Sequence, residues 1–78
     1  MKHIRHEIGL KKFGENLREI RIKKNFTQER LANTADIEIS QISRIERGII
    51  NTSLSQVFVI AKALKVDIKE LFDFPLDE

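Results

Sequence analysis

Apolar residues recur at helical spacing along most of the chain and nowhere alternate with polar ones as a strand requires. Leu10, Phe13, Leu17 and Ile20 repeat every three to four residues, while Lys11, Lys12, Glu15, Arg18, Glu19, Lys23 and Lys24 cover the other side. This predicts a first helix from Leu10 to about Lys24, ending near Asn25. Gly14 inside it costs up to ~1 kcal/mol relative to alanine, which suits a point where a neighbouring helix comes close. Thr27 is a good N-cap and Glu29 complements the helix dipole, so a second helix runs from about Gln28 to Thr34 and buries Leu31, Ala32 and Ala35. Asp36 falls where the chain must reverse, a position favouring left-handed backbone, which Asp tolerates better than most non-glycine types. A third helix follows from about Ile39 to Arg47 and is stopped by Gly48. Ser53 with Gln56 forms a capping box for a fourth, whose inward stripe is Leu54, Val57, Phe58, Ala61 and Leu64. Asp67 with Glu70 repeats the pattern for a short fifth helix carrying Ile68, Leu71 and Phe72. The pattern is all-α, a five-helix bundle. Residues 1–9 contain little apolar beyond Ile4 and Ile8 and form either an arm or an extension of helix 1; residues 74–78 hold the only proline and form an acidic tail.

The third helix carries the chemistry. At about 100° per residue, with the core direction midway between Ile42 and Ile45, Ser40, Arg47, Arg44 and Ser43 point away. Ile39 and Glu46 fall on one flank and Gln41 on the other. Two hydroxyls and two guanidiniums on one outward face have no packing role, but they match the acceptors of B-DNA: base edges for Arg, phosphate oxygens for Ser and Arg. Arg44 is central and is the candidate for a bidentate contact to guanine.

Composition narrows the field. The chain has 78 residues, which is one small domain with no room for a separate catalytic unit. Its 33% charged content suits a soluble helical domain. Without cysteine, neither a disulfide framework nor a thiolate zinc site holds the fold. His3, His6 and Glu7 do not make a closed ligand set, and no cofactor is expected. No apolar stretch approaches the ~20 residues that span a bilayer, and no signal-peptide core follows the charged start; the expectation is a cytoplasmic protein with no membrane partner. Net charge is only +2, but residues 1–30 carry nine Lys or Arg against four acids, while later segments are slightly acidic.

The motifs Phe13-Gly14-Glu15-Asn16-Leu17 with Arg21, Thr27-Gln28-Glu29, Leu31-Ala32, Ile42-Ser43-Arg44-Ile45-Glu46-Arg47-Gly48 and Ala61-Lys62-Ala63-Leu64 follow one another in order. Together they resemble the XRE family, the helix-turn-helix proteins similar to phage Cro and repressor DNA-binding domains and to small restriction-modification controllers. The resemblance runs from about Phe13 to Phe72 and implies a DNA-binding domain over residues 10–73 of the phage-repressor type. It implies that Gln28 clamps a phosphate while touching the first residues of the recognition helix. Ile39, Ser40, Gln41 and Arg44 fall at or beside base-reading positions, and Thr27, Ser43, Arg47 and Asn51 belong with the backbone contacts. Arg21 and Glu46 match a pair forming an internal salt bridge. Two departures stand out: Ile39 is apolar where many relatives carry a polar reader, and Asp36 replaces the usual turn glycine.

The expected function is a sequence-specific transcriptional regulator on a two-fold DNA operator. One recognition helix reads only a few base pairs, so such proteins bind as dimers on half-sites about 34 Å apart. Val59 and Ala63, opposite the inward stripe of helix 4, together with helix 5 and Phe74, are the candidate dimer face. The alternative is an antitoxin-like protein-binding module on the same fold. An enzyme is not expected, because no nucleophile with its base, metal set or phosphate loop is present. An arm using Lys2 and Arg5 in the minor groove is a further use of the N-terminus, without a supporting pattern.

Overall fold

The computed structural model describes residues 4–76 and contains four α-helices, α1 Glu7–Lys23, α2 Gln28–Ala35, α3 Ile39–Glu46 and α4 Leu54–Leu64, followed by a 3-10 turn at Ile68–Phe72. The fifth helix of the sequence pattern is therefore a 3-10 turn. Only five residues separate the Asp67 cap from Asp73, and Pro75 lies just beyond, so the segment is too short for cooperative α-helix and closes with i to i+3 bonds such as Glu70 N–H to the Asp67 carbonyl at 2.9 Å.

α1 begins at Glu7, three residues before Leu10, because the Nδ1 of His6 accepts from the Gly9 N–H at 2.9 Å and caps the helix. His3 and Lys2 lie outside the described residues, as do the last two acids of the tail. The other caps follow local chemistry: the Thr27 hydroxyl accepts from the Arg30 N–H, and the Ser53 hydroxyl accepts from the Gln56 N–H. The second arm of the predicted capping box is redirected, since the Gln56 side chain instead accepts from the Thr52 hydroxyl at 2.7 Å.

Leu17, Leu31, Ile42, Ile60, Leu64 and Leu71 are fully buried, and Phe13, Ile45 and Val57 complete the centre of the core. α3 packs against both α1 and α2, and α4 closes the other side of α2. Gly14 lies where α1 comes close to α3: a Cβ there would lie 2.4 Å from the Ile45 carbonyl oxygen and 2.5 Å from that of Glu46.

Helix α4 buries Val57, Ala61 and Leu64 of the stripe expected from its sequence but not the other two members. Leu54 and Phe58 face solvent, at 68% and 58% exposure, whereas Ile60 and Ala63 are buried. Ala63 is thus a core residue and not part of an outer face. The helix is apolar nearly all round, so two neighbouring stripes both satisfy helical periodicity, and packing against α2 and the 3-10 turn chooses between them. Phe74 is half-buried against the core.

Candidate nucleic-acid interface

The turn between α2 and α3 is built from one left-handed residue and one apolar anchor. Asp36 takes φ 56° and ψ 46°, the Ile37 N–H bonds back to the Ala32 carbonyl at 2.9 Å, and the half-buried Ile37 side chain packs on the core. α3 therefore leaves the turn with Ile42 and Ile45 locked inward. Its opposite side carries Ser40, Arg44 and the cap residue Arg47, all exposed, with Gln41 and Ser43 half-buried on the margins. Ile39, at the tip, is 47% exposed.

The guanidinium of Arg44 bonds to no described residue, whereas the Arg47 Nε makes only a long contact of 3.4 Å to the Ser43 carbonyl. Both cations are held on a rigid helix and remain available to an external acceptor. Asn51 is exposed on the link between α3 and α4.

Behind this face lies a buried polar network. The Arg21 Nε donates to Glu46 Oε2 at 2.6 Å and its Nη2 to Oε1 at 3.1 Å, a bidentate pair in which the side chains are 10% and 2% exposed. The third nitrogen, Nη1, donates to the Phe26 carbonyl at 2.8 Å, and the Gln28 amide nitrogen donates to Glu46 Oε1 at 2.9 Å. Every buried side-chain polar atom among the described residues has a partner. The network ties the end of α1, the α1–α2 link, the first residue of α2 and the last residue of α3 into one unit.

Gln28 departs from its expected geometry. Its amide nitrogen is engaged by Glu46 at the far end of α3 and not by the first residues of that helix. The backbone N–H of Gln28, first in α2, has no intrahelical acceptor and points from a helix N-terminus, the favoured environment for an anion. Beside it, the Arg30 guanidinium stacks on the Phe26 ring with 4.0 Å to the centroid, holding a further cation at the same helix end.

Two outward cations thus stand on a core-locked helix that follows a left-handed turn. The helix-turn-helix family profile matches residues 17–71. The chain belongs to the XRE-type helix-turn-helix family of DNA-binding transcriptional regulators.

Among members of this helix-turn-helix family, the control protein C.BamHI of Bacillus amyloliquefaciens is 48% identical over 63 residues, covering 80% of this chain and 78% of the relative. An uncharacterized HTH-type transcriptional regulator of Archaeoglobus fulgidus is 34% identical over 62 residues, covering 80% and 87%. The crystal structure of the restriction-modification controller protein C.AhdI from Aeromonas hydrophila superposes with a TM-score of 0.84 at 40% identity, covering 86% of this chain and 97% of that one. The family is one of DNA-binding regulators and not of enzymes. Among the described residues no helix is long and apolar enough to cross a membrane, and no three His, Cys, Asp or Glu side chains are grouped to hold a metal ion.

Three contacts around this helix-turn-helix unit escaped the sequence. The Phe26 carbonyl is a backbone group with no side-chain signature. Arg30 reads as an ordinary surface charge until its stacking is seen. Arg5, expected on an arm or helix 1 extension and considered with Lys2 for the minor groove, pairs with Glu7 and donates from Nη2 to the Ile49 carbonyl at 2.8 Å, across 44 residues of chain.

Proposed function

We propose that this protein is a sequence-specific transcriptional regulator, a repressor or autoregulator, that binds a two-fold symmetric operator as a homodimer with α3 in the major groove. The observation that carries the reading is the outward face of α3, where the unpaired Arg44 guanidinium stands on a helix held from behind by Ile42, Ile45 and the Arg21–Glu46 pair. Arg44 reads a guanine edge through two hydrogen bonds, with Ser40, Gln41 and Ile39 beside it; an exposed Ile39 suits a thymine methyl. Arg47, Ser43, Thr27, Asn51 and the N-terminus of α2 at Gln28 hold phosphates and set the register without reading sequence. The relatives named as controllers support a regulatory role.

The dimer reading moves to a different part of α4 now that Ala63 is buried. Leu54, Phe58 and Val59 are exposed on this helix, at 68%, 58% and 42%, and Phe72 on the 3-10 turn at 47%. Leu54, Phe72, Phe74 and Leu76 also border an apolar surface groove of about 470 Å³. Such apolar exposure supports contact with a second copy, which supplies the second recognition helix about 34 Å away.

Selection of bound duplexes from a random pool, at stated salt, tests the function. The expected result is one enriched two-fold site with G facing Arg44. A pool that stays unenriched while the protein is folded sinks the reading.

A further inference from the structure

We infer that Arg5 is a positioning residue for the DNA-backbone contact made by the α3–α4 link; the inference rests on the DNA-binding reading above. The link begins at Gly48, whose φ of +71° and closeness to α1 leave no space for a side chain, since a Cβ would lie 2.6 Å from Lys11 Cα. The Ile49 N–H then bonds to the Arg44 carbonyl at 3.1 Å, continuing from the reading residue itself. At the other end the Thr52 hydroxyl is held by Gln56, and Ser53 caps α4. Between these anchors lie the Ile49 carbonyl and the exposed Asn51. Arg5 Nη2 grips that carbonyl at 2.8 Å, while its Nε is held by Glu7 in the first turn of α1. One edge of a planar guanidinium thus spans from α1 to the middle of the link, a geometry that a point-charge ammonium does not reproduce.

The contact is at the surface: the Arg5 side chain is 37% exposed and its ion pair with Glu7 adds little to global stability. Pairing with Glu7 also offsets the cation, so Arg5 acts through the geometry of the link and not by attracting DNA at a distance. Phosphate contacts fix the register of a protein on the duplex, so a loosened Asn51 weakens every site alike.

The experiment uses the full chain with Arg5→Ala and Arg5→Lys, measuring Kd on the selected duplex and on a non-specific duplex across a salt series. Amide hydrogen exchange of the free proteins is measured in parallel. Arg5→Ala is expected to weaken both duplexes about fivefold, the size of one charge-assisted hydrogen bond at a surface, with the salt slope unchanged. Arg5→Lys recovers less than half of the loss, and the Ile50 and Asn51 amides exchange faster while α1 to α4 are unaltered. Unchanged affinity in Arg5→Ala overturns the inference. Full recovery by Arg5→Lys, together with a slope reduced by about 0.9 in Arg5→Ala, overturns it in favour of a direct phosphate contact. A folded wild-type chain that binds neither duplex overturns the DNA reading as well, whereas tight binding by wild type and variants alike overturns only the role of Arg5.

Discussion

Glu46→Ala is the most demanding perturbation of the network behind the recognition helix. It deletes three hydrogen bonds, two from Arg21 and one from Gln28, and leaves a guanidinium that is 10% exposed with the Phe26 carbonyl as its remaining partner. Removing one member of a buried pair costs ~3–5 kcal/mol, because the surviving charge stays desolvated. A domain of this size has about 4–12 kcal/mol of stability at ~0.05–0.15 kcal/mol per residue, so the variant loses a large share of it. In urea, with a slope of ~1–2 kcal/mol/M, the midpoint falls by roughly 1.5–5 M. The paired variant Arg21→Met with Glu46→Leu removes both charges and is expected to recover at least ~2 kcal/mol relative to the sum of its single changes. It does not return fully to wild type, since the Phe26 carbonyl and the Gln28 amide lose their partners. Exchanging the two charges is a poorer test, because a carboxylate at position 21 faces that carbonyl. The reasoning is refuted if Glu46→Ala unfolds within ~1 kcal/mol of wild type, or if the single costs simply add in the double variant.

Gly14→Ala gains ~1 kcal/mol of helix propensity but drives a Cβ to 2.4 Å and 2.5 Å from backbone oxygens of α3, and overpacking of ~1–3 kcal/mol wins. Its melting temperature should fall, and an increase would show that α1 and α3 separate freely. Asp36→Gly relieves a non-glycine residue at φ 56° and should raise stability by up to ~1 kcal/mol, a few degrees in thermal unfolding; a lower melting temperature counts against the strain. Arg44→Ala should cost ~1–3 kcal/mol on the preferred operator and relax choice at one position, while Arg47→Ala weakens all sites and lowers the salt slope by about 1. Unchanged sequence preference in Arg44→Ala, read by repeating the pool selection, removes it as the reader. Phe58→Glu should shift a wild-type dimer to monomer in sedimentation across a concentration series, and a wild type that stays monomeric on a single half-site defeats the dimer.

The amino-acid sequence alone determined the features whose causes lie within about one helical turn. Thr27 and Ser53 cap their helices because their hydroxyls accept from an N–H three residues on, and Asp36 is left-handed because α2 must end there. Ile42 and Ile45 face inward because they share one side of a helix whose other side is polar, which also exposes Arg44 and Arg47. Where the local pattern was ambiguous, tertiary packing decided. α4 is apolar almost all round, so only its neighbours chose to bury Ile60 and Ala63 and expose Leu54 and Phe58. The turn of Gln28 toward Glu46 was settled in the same way, whereas the His6 cap that starts α1 early and the 3-10 form of the last element have local causes that the apolar periodicity does not register. The pairing of Arg21 with Glu46 was legible only by resemblance to a family. Contacts such as that one, Gln28 with Glu46 and Arg5 with Ile49 join residues 25, 18 and 44 positions apart. Periodicity and capping rules reach about four residues, so partners at these separations exist only once the chain has closed on itself.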